Sequence, residues 1–301
     1  MKKTPNKYLG ILLALIGVVL FSTKAIFVKL AYAYGVDTIT LLLLRMLFSM
    51  PVYVLVLFFL RSKPIISTKR TDYYWLFFFS FVGYYIASYF DFIGLQYIKA
   101  GLERVVLFVY PTLVLLISRV FLKVKITKVQ LWAILLTYMG VFIAFFNEIS
   151  YEGSAVFTGV VFVFLSALTY AMYLVGSGWL LPKFGVLRYT SYAMLVATFC
   201  VVIHYFSVAT TSLFGYEAAV YYLGAAMALF STVIPSFFVS KAIDLIGSGN
   251  FSIIGSVGPI TTIILANVFL EEQFSVYQII GTTIVILGVL LLSRSELKRS
   301  S

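Results

Sequence analysis

Charged residues are scarce in this chain: they make up 11% of its 301 residues, whereas an ordinary soluble domain has about 25%. Hydrophobic residues make up 62%, and the mean hydropathy is +1.06. This composition excludes a soluble globular domain and predicts an all-α polytopic membrane protein. The net charge of +11 does not indicate a nucleic-acid partner, because most Lys and Arg residues lie in short turns between apolar runs.

The chain also lacks the residues that several kinds of chemistry need. Cys200 is the only cysteine, which excludes an intramolecular disulfide and a cysteine-based metal cluster. There is no HExxH pattern and no nucleotide-binding loop with GKS or GKT. The longest polar connection, from about Arg61 to Asp72, is too short for a soluble domain. We therefore expect no metal, no cofactor and no ATP-driven step within this chain.

Ten apolar segments are long enough to cross a bilayer, which takes about 20 residues each. The turns between them alternate between basic and acidic, and basic turns stay in the cytoplasm. We therefore predict a multi-pass protein of the cell membrane with both termini cytoplasmic. The predicted spans are Tyr8–Tyr32, Thr38–Leu60, Tyr73–Leu95, Ala100–Leu122, Val129–Phe146, Ala155–Leu180, Leu187–Ser207, Tyr216–Lys241, Ser248–Leu270 and Val276–Ser293.

The chain contains an internal duplication. The segment Gly94–Phe145 is repeated at Ala242–Ser293 with a constant offset of 148 residues and no gap. Directly after a shared Val-Phe-Leu, the first copy reads Lys-Val-Lys and the second reads Glu-Glu-Gln. Because basic turns stay in the cytoplasm, these two turns should face opposite sides of the membrane. We predict two inverted five-helix repeats, at 8–146 and 155–293, an arrangement typical of secondary transporters.

Three stretches of the sequence resemble the drug/metabolite transporters of the EamA type, and the resemblance extends over essentially the whole chain. It implies a pore between two five-helix halves, alternating access, and export or exchange of a small metabolite. It does not imply which metabolite. The stretches are FSTKAIFVKLA (Phe21–Ala31), LQYIKAGLERVVLFVYPTLVLL (Leu95–Leu116) and AIDLIGSGNFSIIGSVGPITTIILANVFLEE (Ala242–Glu272).

Ionisable residues cluster in the predicted spans of the first repeat, although each costs about 2.5–3.5 kcal/mol near the bilayer centre. With four cations and two anions, the cluster leaves positive charge that an anionic or zwitterionic metabolite could neutralise. Tyr84 and Ser88 share a helix face with Asp91 and predict a polar lining. The second repeat has only uncharged polar residues at such depths, such as Ser231 and Thr232. The charged residues are Lys24, Lys29, Arg45, Asp91, Glu103 and Arg104.

A plainer interpretation of these charges remains open. Asp91 could simply pair with Lys24 or Arg45 and hold the first three helices together, because buried polar groups often serve as interhelical contacts in membranes.

Pro111 and Pro259 occupy the same position in the fourth and ninth predicted helices. Each removes one backbone hydrogen bond and bends its helix, so a matched pair predicts gating. Membrane helices also tolerate proline without any such role, but that explains one proline better than a symmetric pair.

Two functions fit the sequence. The leading hypothesis is a secondary transporter. The alternative is an intramembrane enzyme for a lipid-linked or anionic substrate, in which the charged residues would be catalytic acids and anion binders. The repeat argues against the enzyme, because an inverted scaffold serves alternating access and has no evident use in one-sided catalysis.

Overall fold

The computed structural model describes residues 7–61, 68–122, 127–152, 154–209, 212–255 and 257–300. Within these ranges, the side chains of residues 122, 145–152, 248–250, 252–253 and 292–300 are not described. The basic turn at 123–126 and Gly153, which lies between the two predicted repeats, are therefore outside the described residues.

The described residues form thirteen α-helices and two short π-helical segments, and they contain no β-strand. The α-helices are α1 (Lys7–Tyr32), α2 (Thr38–Leu60), α3 (Arg70–Ser80), α4 (Ala87–Tyr97), α5 (Ala100–Leu107), α6 (Tyr110–Leu122), α7 (Lys128–Glu152), α8 (Ser154–Phe184), α9 (Val186–Val208), α10 (Ala218–Ala228), α11 (Ile234–Gly255), α12 (Val257–Leu270) and α13 (Val276–Ser300).

Seven helical segments of the described chain are long and apolar enough to span a membrane, and three further apolar helices are shorter. The chain is thus a polytopic helical membrane protein. The long segments are Lys7–Tyr32, Thr38–Leu60, Arg70–Tyr97, Ala100–Phe121, Ser154–Phe184, Val186–Val208 and Ala218–Gly247, and the shorter ones are Lys128–Ala144, Val257–Leu270 and Val276–Leu291.

The turn from α1 to α2 defines one end of the helix bundle. Asp37 precedes α2 and its carboxylate accepts hydrogen bonds from Thr40 N (3.0 Å) and Thr40 Oγ1 (2.7 Å), which satisfies donors at the helix start. Gln96 Nε2, near the end of α4, donates to Thr38 Oγ1 at 2.7 Å. We refer to this side of the bundle as the Asp37 end and to the opposite side, where α1 begins, as the Lys7 end.

Two spans contain a π-helical segment in their interior. Phe81–Ile86 joins α3 to α4, and Leu229–Val233 joins α10 to α11. Their first residues are 229 − 81 = 148 positions apart, which is the offset of the sequence repeat. A π turn inserts one residue into a helix and redirects the side chains around it, and such turns are frequent at functional sites. Hydropathy patterns do not reveal them.

The fourth predicted span is interrupted instead of continuous. The helix α5 ends at Leu107, and α6 begins at Tyr110, with tight turns at Phe108 and Val109 between them. Pro111 lies in the first turn of α6, where its missing N–H leaves no acceptor unsatisfied inside that helix. If α5 continued as far as Pro111, this residue would have no N–H to donate to the carbonyl of Leu107. The sequence predicts a kink at Pro111, and the structure instead has a break at Phe108 and Val109, about one turn earlier in the chain.

The second half is irregular at the position that corresponds to Lys99, between α4 and α5. Gly247, inside α11, has φ +77°, a left-handed conformation that favours glycine, and it separates two helical stretches. Pro259 lies in the first turn of α12, as Pro111 does in α6. Ser256, which precedes α12, lies outside the described residues.

The longest helix contacts join the first half of the chain to the second. The pairs are α1 with α11, α4 with α8, α2 with α9, and α7 with α13. In the last pair, a Cβ at Gly140 would lie 2.6 Å from Gly281 O, and a Cβ at Gly288 would lie 2.5 Å from Thr137 Oγ1. Residues later in α7 contact residues earlier in α13, so these two helices pack antiparallel. Glycine at the crossing lets the backbones approach closely.

The α1–α11 and α4–α8 pairs are close-packed through glycines in the same manner. A Cβ at Gly10 would lie 2.5 Å from Ile246 Cγ2, and a Cβ at Gly159 would lie 2.6 Å from Ile98 Cγ2. Ile98 and Ile246 are matched positions of the sequence repeat. Each isoleucine thus meets a glycine near the start of the first helix of the opposite half.

Candidate functional site

A cavity of about 120 Å³ lies within the bundle, and both π-helical segments contribute to its lining. The first segment contributes Gly83 and Tyr84, and the second contributes Ser231 and Thr232, which are the positions 148 residues further on. Gly83 packs so closely on Tyr173 that no Cβ would fit. Both π segments therefore position side chains at the same cavity.

Four charged residues form a buried ion cluster at one wall of this cavity. Lys24 Nζ lies 2.6 Å from Asp91 Oδ2 and 3.5 Å from Glu103 Oε1. Arg104 Nε lies 3.7 Å from the other oxygen of Glu103, and its Nη2 donates to Phe21 O at 3.1 Å. We refer to Lys24, Asp91, Glu103 and Arg104 as the ion cluster. It joins α1, α4 and α5.

The ion cluster contains as many cations as anions. Asp91 is 1% exposed and Glu103 is fully buried, so neither carboxylate is hydrated from the surface. Breaking a buried ion pair of this kind is destabilising, because removing one partner leaves the other charge buried and unpaired. The cluster thus holds three helices together and exposes a cationic edge, Lys24 and Arg104, to the cavity.

Arg45 lies outside the ion cluster, although it lines the same cavity. Its side chain is 4% exposed, and its guanidinium lies 4.9 Å from the centre of the Phe92 ring. Nη2 donates to Ser88 Oγ at 2.9 Å, and Nε is buried without a hydrogen-bond partner. Asp91 attracts the guanidinium only from beyond salt-bridge distance. Among the residues that the structure describes, Arg45 has no ion-pair partner.

Aromatic rings form much of the remaining wall. Tyr110 contacts Tyr170 edge-on with centroids 5.4 Å apart, and Phe108 contacts Tyr110 at 5.7 Å. Tyr84 contacts Tyr173 edge-on at 4.7 Å. Phe108 and Tyr110 reach the cavity because the break between α5 and α6 turns these residues inward. The cavity thus combines a cationic edge with apolar, ring-lined walls.

The structure brings the predicted site residues together. Glu103 lies directly behind the lining and contacts Lys24 and Arg104. Lys29, also expected in the charged cluster, is not among the lining residues. In the described part of the chain, no group of three or more His, Cys, Asp or Glu side chains could hold a metal ion. The predicted residues that line the cavity are Lys24, Arg45, Tyr84, Ser88, Asp91 and Arg104.

Several lining residues were not predicted to belong to a site. Phe108 and Tyr110 flank the helix break, and the Pro111 signal could have pointed to them. Phe21 and Ser166 carry no signal in a single sequence, because apolar and small residues occur throughout membrane helices. Ser231 and Thr232 were noted as polar residues in a span, and the second π segment turns them into the cavity.

The two halves of the chain also meet at the Asp37 end. The Glu272 carboxylate accepts hydrogen bonds from Ala100 N (2.8 Å) and Gly101 N (3.2 Å), at the first turn of α5. An anion at a helix N-terminus satisfies free N–H groups and interacts favourably with the helix dipole. Phe274 packs on Gly101 with no room for a Cβ. The contact is linked to the ion cluster, because α5 also carries Glu103.

The Lys7 end contains a second, wider cleft of about 690 Å³. Leu13 of α1, Leu60 of α2 and Phe238 of α11 are among its lining residues. Leu13 lies five residues before Val18, a residue that lines the inner cavity, which corresponds to about 7.5 Å along the helix axis. The cleft therefore approaches the inner cavity from the Lys7 end.

Comparisons with known proteins match the sequence to a family. The EamA-like transporter family matches residues 8–146 and 157–294. The chain is 31% identical to the "Uncharacterized transporter YcbK" of Bacillus subtilis (strain 168) over 280 residues, covering 90% of this chain and 88% of that protein. It is 24% identical to an "Uncharacterized transporter" of Archaeoglobus fulgidus over 208 residues, covering 68% of this chain and 71% of that protein.

A solved crystal structure has the same fold, with a TM-score of 0.69 at 14% identity, covering 97% of this chain and 99% of the other. The family and the transporter relatives imply a small-molecule substrate and a lipid bilayer environment. They also set aside the intramembrane-enzyme hypothesis. The chain belongs to the EamA-like transporter family and is a multi-pass membrane transporter, not an enzyme.

Proposed function

We propose that this protein is a secondary active transporter that moves a small metabolite across the cell membrane by alternating access, as an exporter or an exchanger. The observation that carries the proposal is the cavity between the two halves, which holds buried charges and is approached by a cleft from one end. Buried charges inside a membrane are expensive and mark substrate or ion pathways.

The proposal includes ten spans arranged as two inverted five-helix repeats. Its support is the antiparallel packing of α7 on α13, which are the last helices of the two halves. Equivalent helices of inverted repeats run in opposite directions, as this pair does. The matched π segments and the matched glycine contacts of Ile98 and Ile246 agree with the same symmetry.

We further propose that the structure corresponds to an inward-facing state with both termini in the cytoplasm. The wider cleft lies at the Lys7 end, which the basic turns assign to the cytoplasm. At the Asp37 end, the Glu272 contact with α5 and a hydrogen bond from Tyr216 Oη to Asp37 Oδ2 (3.0 Å) join the two halves. Opening outward would require these contacts to separate.

In this mechanism, the substrate is a metabolite with an anionic group, alone or as part of a zwitterion. The substrate and coupling residues are the ion cluster together with Arg45, Tyr84 and Ser88. Substrate binding would change which partners the ion cluster uses, and Pro111 and Pro259 would allow the fourth and ninth predicted helices to move.

Single-cysteine labelling tests the inverted arrangement. Lys125→Cys and Gln273→Cys, each in a Cys200→Ala background, lie in the two turns that follow the repeated Val-Phe-Leu. We expect an impermeant thiol reagent to label Gln273→Cys from outside intact cells and Lys125→Cys only after the membrane is opened. Labelling of both positions from the same side would reject the inverted repeat and, with it, the proposed mechanism.

A further inference from the structure

We propose that Arg45 binds the carboxylate of the substrate, and that this substrate is a small organic monocarboxylate with a planar, apolar body. The inference rests on the proposed transport function, because it assigns the substrate class of the same cavity. It is carried by the state of the Arg45 side chain and by the shape and lining of the cavity.

Within the described part of the chain, Arg45 is a buried cation without a counter-ion. Its side chain is 4% exposed, and the ion pairs of the cavity join other residues. A buried charge is tolerated when it is paired and hydrogen-bonded, and is otherwise costly. Here one terminal nitrogen is held by Ser88 and one face lies on Phe92, whereas Nε has no partner. The guanidinium is thus oriented but not neutralised.

The charge balance of the cavity points to an anion as the missing partner. With both carboxylates ionised, the two cations and two anions of the ion cluster balance, so Arg45 leaves one positive charge in excess. A single carboxylate would neutralise it. Arginine presents paired N–H donors whose planar geometry matches a carboxylate, and these charge-assisted bonds are stronger than neutral ones.

The size and walls of the cavity limit the rest of the substrate. A dry cavity of about 150 Å³ in another protein accepts benzene, so this cavity of about 120 Å³ limits the body of the substrate to one ring at most. Tyr84, Tyr110 and Tyr170 present aromatic surface around it. Aromatic walls favour a flat, apolar group by offset or edge-on contact. Benzoate combines this shape with one carboxylate and is therefore the appropriate probe.

The test compares benzoate with benzamide, which has nearly the same shape but no charge. Binding to purified protein in detergent is measured by calorimetry for the wild type, Arg45→Gln, Arg45→Lys and the control Arg61→Gln. Arg61 follows the same helix and is exposed. We expect wild type and Arg61→Gln to prefer benzoate by about 10- to 100-fold, the contribution of hydrogen bonds to a charged group. Arg45→Gln should bind both probes alike.

Arg45→Lys separates the effect of the positive charge from that of the guanidinium geometry. It also replaces Arg45→Gln as the test variant if Arg45→Gln does not fold. It should keep part of the preference, because lysine retains the charge but loses the paired donors. The inference is overturned if wild type does not prefer benzoate, if Arg45→Gln keeps the preference, or if Arg45→Lys and wild type are indistinguishable. Inorganic phosphate that displaces benzoate and binds more tightly would also overturn it, because the anion site would then not select an organic carboxylate.

This experiment is independent of the transport mechanism. Binding in detergent requires no sidedness and no conformational cycle, whereas the cysteine labelling at positions 125 and 273 requires no ligand. Loss of the benzoate preference with correct opposite-side labelling would reject the substrate class alone. The reverse outcome would reject the inverted arrangement and leave the anion site in place.

Discussion

The two halves of this transporter contribute different chemistry to the same cavity. Among the described residues, the charged side chains that line it come from the first half and include Lys24, Arg45 and Asp91, whereas the second half contributes hydroxyls such as Ser231 and Thr232. The backbone does not differ in this way, because the π segments and the glycine contacts recur at matched positions. The repeated helices preserve the geometry of the fold, and the polar residues have diverged on it.

The divergence is evident at individual positions of the repeat. At the offset of 148 residues, Asp91 corresponds to Val239 and Glu103 corresponds to Phe251. Val239 is buried, and Phe251 lines the cavity. The second half thus replaces the carboxylates of the ion cluster by apolar side chains. On our proposal, the substrate is held mainly by the charged residues of the first half.

The largest effect on stability should come from removing a charge of the ion cluster in the first half. Asp91→Asn leaves Lys24 buried with a weaker partner and should lower the free energy of unfolding by about 3–5 kcal/mol. Thermal unfolding in detergent measures the loss. Asp244→Asn is the control, because its partner Lys241, at 2.7 Å, is well exposed, as Asp244 itself is. We expect no measurable change there.

The double variant Asp91→Asn with Lys24→Met then separates scaffold from function. It removes both charges of the closest pair, so stability should largely recover. Transport should remain defective if the ion cluster is part of the substrate or coupling pathway. Recovery of wild-type transport in the double variant would show that the pair only holds the helices together.

The next largest effect should come from the shared framework. Gly140→Ala places a methyl group 2.6 Å from Gly281 O in the α7–α13 crossing, so we expect a loss of about 1–3 kcal/mol from overpacking. Gly178→Ala is the matched control, since Gly178 is a helical glycine with open space around it. Glycine is the poorer helix former, so the control should be neutral or slightly stabilised in thermal unfolding. Equal stability of the two variants would contradict the close packing of the halves.

The paired prolines offer a kinetic test of symmetry. Pro111→Ala and Pro259→Ala each restore an N–H in the first turn of a helix, so conformational exchange should slow by severalfold while substrate affinity changes less. Exchange can be followed by the rate of cysteine labelling in the cavity, and affinity by calorimetry. If either variant loses binding in proportion to transport, the gating assignment is wrong.

The smallest effect should come from the uncharged side of the cavity. Ser231 Oγ hydrogen-bonds Thr23 Oγ1 at 2.9 Å and so joins the second π segment to α1. Ser231→Ala should lower the free energy of unfolding by only about 1 kcal/mol, the net contribution of a neutral hydrogen bond. Thermal unfolding of Ser231→Ala and of Asp91→Asn under the same conditions compares the two losses of stability. A loss as large as that of Asp91→Asn would mean that the two halves contribute equally to the site.

Much of the architecture could be predicted from the sequence, because hydropathy reports the spans directly. The bounds of α2 agree with the prediction, and α1 begins one residue earlier than predicted. The choice of partners could not be predicted, since it depends on side-chain direction. Arg45 meets Ser88 and not Asp91, although both lie on one helix face, three residues apart.

Contacts between distant segments of the chain could not be predicted from the sequence either. Glu272 was predicted only as a marker of topology, yet its carboxylate caps α5, 172 residues away in the chain. The π segments were missed because one inserted residue hardly changes the average hydropathy of a span. The break before Pro111 was expected only as a kink, because proline alone does not determine where a helix ends.

Access to the cavity from both sides tests the central claim most directly. Ser166 is a buried lining residue, and Ser166→Cys in a Cys200→Ala background places one thiol at the cavity. In oriented vesicles, we expect a small impermeant thiol reagent to label it from either side, with benzoate slowing both reactions. Glu272→Gln, which weakens the contact with α5, should raise the rate from the Asp37 end relative to the Lys7 end. Labelling from one side only, with and without Glu272→Gln, would contradict alternating access.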